Sequence, residues 1–314
     1  EVFGHAAGLL GVTLSEILQD GELLARGQLE ALKRYGDDAV FGLMDLSVET
    51  QAVGSRVRFR DGAYPTVERY ALKPVANLDT LALPNPRESG RMPELLKALR
   101  VFRRAVGDDV LVSGCVAGPM TLTTQLFGIE TALYLAVDDP EGFERVLDFS
   151  VEVAQVFGRA QVEAGAHVVL VFDPSASPEV VPPALFRELL LPRFKKVFSA
   201  LDDAGSRARW LSITGGIDPL LKWMSREWVD LVNLDYPVDP VQAAAHLGRL
   251  CVDGNLKPMD FVVSDPETIH AQGRRLCEGL RDRGGFILSS GCEIPLDASP
   301  DNILAMVEAA KGGE

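Results

Sequence analysis

The chain has 314 residues, of which 47% are hydrophobic and 24% are charged, and this composition is that of an ordinary globular protein. Its 45 acidic residues outnumber its 31 basic residues, and the resulting net charge of −14 argues against a nucleic acid partner. The four cysteines are widely spaced, no stretch is apolar for long enough to span a membrane, and no signal peptide is visible. We therefore expect a cytoplasmic protein without a membrane partner.

Short apolar runs alternate with longer amphipathic stretches along the chain. Such runs are typical of parallel strands that are buried on both faces. Seven of them are visible, at Ala39–Asp45, Val110–Cys115, Ala166–Asp173, Ala208–Thr214, Val229–Asp235, Leu250–Gly254 and Gly285–Ser290. Val2–Phe3 is a candidate for the tail of an eighth strand. Eight strand–helix units would close into a (β/α)₈ TIM barrel, whereas fewer would leave an open, doubly wound α/β sheet.

The stretches between the strands carry helix start signals, in which a capping residue precedes proline. These pairs are Asp139-Pro140, Asp265-Pro266 and Ser299-Pro300. The segment Val48–Pro84 breaks the rhythm, because it alternates apolar and polar residues around the turn signal Asp61-Gly62. We interpret it as a β-hairpin excursion in the N-terminal third that shapes or covers the barrel mouth. Nothing indicates a second domain, so residues 1–314 are predicted to form a single domain.

Polar or reactive side chains stand at or just beyond the ends of most of these runs. In a barrel, the carboxyl ends of the strands and the loops that follow them build the active site. The side chains concerned are Asp45, Cys115, Asp173, Ser212, Thr214, Asp235, Asn255 and Cys292. Their convergence at one mouth predicts a site there, although Cys115 lies within its strand and is expected to be a packing residue.

Each of these side chains also has a purely structural interpretation. Asp45 and Asp173 are either helix caps or ligands for a substrate or metal, and Asp235 either completes a turn or has a functional role. Cys292 is either a small buried residue or, beside Glu293, a ligand or nucleophile. Of the four histidines, only His5 is expected near the mouth.

Five stretches resemble the methylcobalamin:coenzyme M methyltransferases, a branch of the uroporphyrinogen-decarboxylase-like superfamily. They are YGDDAVFGLMDLSVETQAVG (Tyr35–Gly54), CVAGPMTLTTQLFG (Cys115–Gly128), VLVFDPSAS (Val169–Ser177), VDGNLKPMDFV (Val252–Val262) and ILSSGCEIPLDASPDNILAMVEAAK (Ile287–Lys311). They follow the order of the family and extend over nearly the whole chain. The resemblance implies a (β/α)₈ barrel, in agreement with the strand pattern.

The resemblance also implies a zinc site, from which this chain departs. Thiol-methylating members bind zinc through a His-x-Cys pair and a later cysteine. The later cysteine matches Cys292, but the pair falls on Ser212 and Thr214, whose hydroxyls bind zinc poorly. A metal would then need carboxylates, so the candidate ligands are Cys292, Asp173 and Glu293, and zinc stays an open question.

The function implied by the resemblance is methyl transfer between a small donor or acceptor and a free cobamide or corrinoid protein. Asp45, Asp173 and Cys292 are its candidate catalytic residues. The candidate substrate-binding residues are Met120, Ser212, Thr214, Asp235 and Asn255.

Two alternatives stay open. The first is a tetrapyrrole decarboxylase of the uroporphyrinogen type, in which Asp45 would steady the pyrrole nitrogens. The Asn-Leu-Gly-His-Gly stretch of that branch is replaced here by SSGCE, however. The second is a non-catalytic paralogue that binds a corrinoid. The sequence is compatible with a homo-oligomer.

Overall fold

The computed structural model of the protein describes residues 3–72 and 75–311, and these contain nine strands. The strands are β1 (Ala39–Gly42), β2 (Arg56–Arg60), β3 (Ala63–Arg69), β4 (Leu111–Ala117), β5 (Val168–Phe172), β6 (Arg209–Ser212), β7 (Leu231–Asn233), β8 (Cys251–Leu256) and β9 (Phe286–Ser290).

Seven of these strands form one curled parallel sheet in the order β1-β4-β5-β6-β7-β8-β9. The architecture is therefore the predicted TIM-barrel-like α/β fold, and each of the seven predicted runs overlaps a strand. The eighth strand suggested at Val2–Phe3 does not appear among the described residues. Val2 lies outside them, and Phe3 begins a helix.

Helices connect the strands along the outside of the sheet. They are α1 (Phe3–Leu10), α2 (Leu14–Ile17), α3 (Gly21–Tyr35), α4 (Val48–Ala52), α5 (Met92–Val106), α6 (Pro119–Phe127), α7 (Ile129–Asp138), α8 (Pro140–Glu163), α9 (Pro183–Leu185), α10 (Leu191–Ala204), α11 (Pro240–Leu247), α12 (Asp260–Val263), α13 (Pro266–Gly279) and α14 (Pro300–Lys311). Short 3₁₀ turns cover Val75–Thr80, Pro174–Ala176, Asp218–Trp223 and Arg281–Arg283, and Phe186–Leu190 is a π-helical turn.

The predicted helix starts are confirmed. The Asp139 carboxylate accepts the Gly142 N–H at 2.9 Å at the start of α8, and Asp265 accepts the Thr268 N–H at 2.8 Å at the start of α13. The third predicted helix begins at Pro300. Within residues 3–72 and 75–311, no helix combines the length and hydrophobicity that a bilayer crossing requires.

The strands are apolar on both faces because each face packs against a different layer. On β5, Val169 and Val171 are buried in the main core, whereas Val168 and Leu170 join a smaller cluster with Cys115 of β4. This alternation follows from the period of two residues along a strand. It also confirms that Cys115 is a packing residue.

The N-terminal excursion is narrower than Val48–Pro84. Its first residues form helix α4, and the antiparallel hairpin comprises only β2 and β3, joined at Asp61-Gly62. Gly62 has a φ of +74°, a conformation that glycine adopts without a Cβ penalty. Lys73 and Pro74 lie outside the described residues.

Helix α3 begins in close contact with helix α5, and this contact allows a test of the fold. A Cβ on Gly21 would lie 2.0 Å from the Glu94 carbonyl oxygen, whereas a Cβ on the exposed Gly8 of α1 would meet nothing within 4 Å. We expect Gly21→Ala to lower the free energy of unfolding by about 1–3 kcal/mol through overpacking. Gly8→Ala should be neutral or stabilising by up to about 1 kcal/mol, since alanine favours helix. Urea denaturation measures both, and equal stability of the two variants would contradict the packing.

Candidate active site

Asp45 follows β1 and is held by a buried arginine. Its carboxylate accepts the Ser47 N–H at 2.7 Å, and Arg91 Nη2 donates to Asp45 Oδ1 at 3.1 Å while Nη1 donates to Oδ2. The side chains of Asp45 and Arg91 are only 5% and 7% exposed, so the pair is sealed from solvent. Arg91 also donates to the Leu18 carbonyl at 2.8 Å and to Gln51 Oε1 at 2.7 Å. Asp45 is thus already occupied by a cation of the chain itself.

Asp173 follows β5 and caps a helix that lies far from it in sequence. Its carboxylate accepts the backbone N–H groups of Met120 at 3.0 Å and Thr121 at 2.7 Å, at the start of α6. The Thr121 hydroxyl also donates to it at 2.6 Å. Burial raises the pKa of Asp173 to about 6, and these hydrogen bonds oppose the shift. A Cβ on Gly118 would lie 2.4 Å from the carboxylate, so only glycine fits there.

Glu49 is a second fully buried carboxyl group at the same edge of the sheet. Its Oε1 accepts the Ala117 N–H at 2.8 Å, where β4 ends. Burial raises the pKa of Glu49 to about 7, with a smaller contribution from the nearby charge of Asp45. The loop from Ala117 to Thr121 is therefore held between two carboxyl groups, Glu49 on one side and Asp173 on the other.

A third group of side chains gathers after β6, β7 and β8. Asp235 accepts the Gly215 N–H at 2.8 Å and the Tyr236 N–H at 2.7 Å. Asn255 Nδ2 donates to the Asp235 carbonyl at 3.2 Å, and Gly291 approaches closely enough that a Cβ there would lie 2.8 Å from Asp235 Oδ1. The loops that bear Thr214, Asp235 and Cys292 are thereby brought together with Asn255 near the end of β8.

A polar row crosses the sheet below this group. The Ser212 hydroxyl donates to Asn233 Oδ1 at 3.1 Å, and Asn233 Nδ2 donates to Asp253 Oδ2 at 2.9 Å. The Ser289 hydroxyl donates to Asp253 Oδ1 at 2.5 Å, and burial raises the pKa of Asp253. Ser212 therefore continues a network between strands, whereas Thr214 stands half-buried beyond it.

The hairpin, which follows the edge strand β1, contacts the loop after the other edge strand, β9. Tyr64 of β3 donates its hydroxyl hydrogen to Glu293 Oε1, and the Gly4 N–H donates to the same oxygen at 3.1 Å. Burial raises the pKa of Glu293, and burial together with the Glu293 carboxylate raises the pKa of Tyr64. On β2, the Phe59 ring lies 4.8 Å from the Arg91 guanidinium carbon. The hairpin thus rests on residues that follow both β1 and β9.

The residues present do not fit a zinc ion. Asp173 accepts N–H groups of α6, and Glu293 is bound to Tyr64 and Gly4, on the opposite side of the mouth. Over residues 3–72 and 75–311, no three His, Cys, Asp or Glu side chains are grouped to hold a metal. Cys292 is half-buried, and its carbonyl accepts the Ser290 hydroxyl at 2.5 Å. The Cys292, Asp173 and Glu293 ligand set therefore finds no support in this arrangement.

The histidines contribute little to the mouth. His5 lies in α1, where its Nε2 is 2.7 Å from the Tyr35 hydroxyl oxygen. His167 precedes β5, and its Nδ1 accepts the Val112 N–H at 3.0 Å, so it links β4 to the start of β5.

Sequence reasoning missed three residues that organise the mouth. Arg91 lies in a loop far from any strand end, and Tyr64 lies on the hairpin, so neither carried a usable signal. Asp253 did carry one, because a charged residue interrupts an otherwise apolar run.

The fold and this mouth define an α/β barrel whose polar groups gather at the carboxyl ends of its strands. The family of uroporphyrinogen decarboxylases (URO-D) matches residues 5–313, and the chain belongs to this family.

Relatives in this family carry two different activities. The chain is 28% identical over 305 residues to the methylcobamide:CoM methyltransferase MtaA of Methanosarcina barkeri, covering 96% of this chain and 87% of that protein. It is 25% identical over 307 residues to the uroporphyrinogen decarboxylase of Magnetococcus marinus, covering 94% and 84%. The solved structure of a methyltransferase from Methanosarcina mazei superimposes with a TM-score of 0.90 at 25% identity, covering 99% and 91%. Methyltransferases and decarboxylases are thus similar to it to a comparable degree.

The raised pKa of Glu49 predicts how stability depends on pH. The folded protein keeps a proton on Glu49 up to about pH 7, whereas the unfolded chain releases it near the ordinary value of 4.5. This contribution is fully present below pH 4.5 and is lost as the pH rises to about 7, at up to about 1.4 kcal/mol per pH unit. We expect the loss of stability between pH 5 and pH 8 to be smaller in Glu49→Gln than in the wild type by about 2 kcal/mol.

Urea unfolding at the two pH values measures this difference. The exposed Glu30→Gln on α3 is the control and should follow the wild type. Parallel behaviour of wild type and Glu49→Gln would show that the carboxyl group is not held protonated.

Proposed function

We propose that this protein transfers a methyl group between a small molecule and a cobamide, either free or carried by a protein. The relatives carry two activities, and the proposal selects the one for which the mouth of the barrel is better suited. The observation that carries it is the charge of the buried groups. Among the described residues of the mouth, Asp45, Glu49, Asp173 and Asp235 are buried and Glu293 is partly buried, whereas the one buried arginine, Arg91, is already bound to Asp45 and Lys257 after β8 is exposed.

This balance disfavours a tetrapyrrole that bears several carboxylates. Such a substrate needs cations around it, and buried like charges would repel it. The aspartate that would steady the pyrrole nitrogens, Asp45, is already bound by Arg91 through both of its oxygens. A neutral or cationic methyl compound, such as a methyl ether, amine or thioether, meets no such repulsion.

Methyl transfer from a neutral ether or thioether to a reduced cobamide needs an acid, whereas a methylammonium donor leaves as a neutral amine. The methyl carbon bonds to cobalt while its bond to the heteroatom breaks, the electron pair of that bond stays on the heteroatom, and a proton neutralises it. Glu49 and Asp173 are suited to give that proton, because their pKa values of about 7 and about 6 keep a protonated fraction near neutral pH. Both are buried, so a substrate reaches them only where the loops around them open.

Other residues of the mouth would hold the substrate. The half-buried Thr214 and Cys292 lie on loops that Asp235 and Asn255 fix in place. We infer that these loops orient the methyl-bearing heteroatom and that Met120, whose side chain is in the core, acts only through its backbone contact with Asp173. No step here depends on zinc.

An activity assay tests the proposal. The wild type is incubated with cob(I)alamin and, in turn, with a methyl ether, a methylamine and a thioether, and the absorbance spectrum reports the formation of methylcobalamin. Uroporphyrinogen is supplied separately. We expect methylcobalamin from at least one donor and no decarboxylation of uroporphyrinogen. The reverse pattern would establish the decarboxylase, and cobalamin binding without either reaction would establish a non-catalytic paralogue.

Variants then test whether Asp173 donates the proton. Asp173→Asn has nearly the size of the original side chain but cannot give up a carboxyl proton, and its amide nitrogen cannot accept one of the two N–H groups of α6, so the rate of methyl transfer should fall at least tenfold. Asp239→Asn changes an exposed cap of α11 in the same way and should leave the rate unchanged. Circular dichroism verifies that both variants are folded. Full activity of Asp173→Asn would remove its proposed role.

A further inference from the structure

The outer face of the hairpin carries a row of arginines. Alternate residues of β2 point away from the barrel, and Arg56, Arg58 and Arg60 are all exposed. The register places Arg69 of β3 directly opposite Arg56, so it lies on the same side of the hairpin and is also exposed. We refer to these four residues as the arginine face.

Most of the positive charge on this face is uncompensated. Arg56 pairs with Glu68 at 2.9 Å, whereas Arg58, Arg60 and Arg69 form no ion pair with any residue in the described ranges 3–72 and 75–311. Like charges directly opposite each other on paired strands, such as Arg56 and Arg69, destabilise a hairpin. Although the chain has a net charge of −14, it places four arginines on the hairpin, where their repulsion lowers the stability of the hairpin. This concentration indicates an interaction with something outside the chain.

The shape of the face distinguishes between possible anions. Arg56 and Arg60 are four residues apart on one strand, so they are separated by about 13 Å. A single phosphate or carboxylate needs donors that converge on one point, as in a bidentate arginine contact. Exposed arginines spread along a strand fit an extended surface of negative charge instead. A nucleic acid and an acidic protein surface both present such an extended negative charge, and the proposed function, in which a protein carries the cobamide, favours the protein surface.

The inner side of the same hairpin contacts the proposed active site. Phe59 alternates with Arg58 and Arg60 along β2 and rests on Arg91, while Tyr64 reaches Glu293 across the mouth. A partner bound to the arginine face would therefore lie directly over the mouth. It would also bear on the element that contacts Arg91 and Glu293.

We propose that the arginine face docks an acidic surface of the protein that brings the cobamide to the mouth. This inference rests on the proposed function, because a cobamide carried by a protein must be presented to the mouth by a macromolecule. Complementary charge would speed the encounter and orient the partner, and its effect should decrease with ionic strength.

Binding is tested without reference to activity. The probe is a fluorescein-labelled 20-residue polyglutamate peptide, and anisotropy gives its Kd in 50 mM and 300 mM salt. We expect Arg58→Glu with Arg60→Glu to weaken binding at least tenfold at low salt, and Arg58→Gln with Arg60→Gln to have an intermediate effect. The matched control reverses two exposed arginines of α5, Arg100→Glu with Arg104→Glu, and should bind as the wild type does.

Each outcome bears on the proposal. Equal weakening by both charge reversals would show only an effect of net charge and would overturn it. Competition by low millimolar phosphate at constant ionic strength would assign the face to a small anion. Tighter binding of a charge-matched oligothymidylate through the same arginines would assign it to nucleic acid.

A kinetic measurement separates this inference from the proposed function. With free cob(I)alamin as methyl acceptor, the Arg58→Glu, Arg60→Glu variant should react as fast as the wild type. With a cobalamin-loaded corrinoid protein of net negative charge, its kcat/KM should fall at least tenfold. Equal kcat/KM with that protein would overturn the docking role, whereas loss of all methyl transfer in the wild type would overturn the proposed function alone.

Discussion

The contact on which the mouth of this barrel depends is the buried pair of Asp45 and Arg91. One guanidinium group donates to the loop after β1, to the Leu18 carbonyl at the end of α2 and to Gln51 of α4, and it supports the hairpin through Phe59. Burying either charge alone would be costly, because removing one partner from such a pair typically destabilises a protein by about 3–5 kcal/mol. The pair therefore fixes both the geometry around β1 and the position of the hairpin above it.

The same burial determines what chemistry the mouth suits. Asp45 has a cation, but Glu49 and Asp173 have only neutral donors, so their pKa values rise to about 7 and about 6. Two carboxyl groups that retain a proton fraction near neutral pH, in a mouth whose described residues include no buried arginine besides Arg91, suit protonation of a leaving group better than recognition of a polycarboxylate. The relatives in the URO-D family include methyltransferases and decarboxylases. The preference for protonating a leaving group over binding a polycarboxylate is the basis on which we propose a methyltransferase.

The sequence predicted much of the fold and less of the mouth. Continuous apolar runs located all seven parallel strands, because burial on both faces leaves a local signal. The role of Asp173 could not be located in this way, since it caps α6, whose N–H donors Met120 and Thr121 lie some fifty positions earlier in the chain. Arg91 left no pattern, because it acts from a loop on residues that only the folded chain brings near. Contacts between distant segments define the site, and periodicity does not report them.

The most direct test of this account is a double-mutant cycle on Asp45→Asn and Arg91→Met, with the free energies of unfolding measured in urea. The sealed contact predicts a coupling energy of about 2–3 kcal/mol, with the double variant far more stable than the sum of the two single changes implies. A coupling below about 0.5 kcal/mol would mean that Asp45 is not committed to Arg91. The aspartate would then be free to hold a substrate, and the argument against a decarboxylase would lose its foundation.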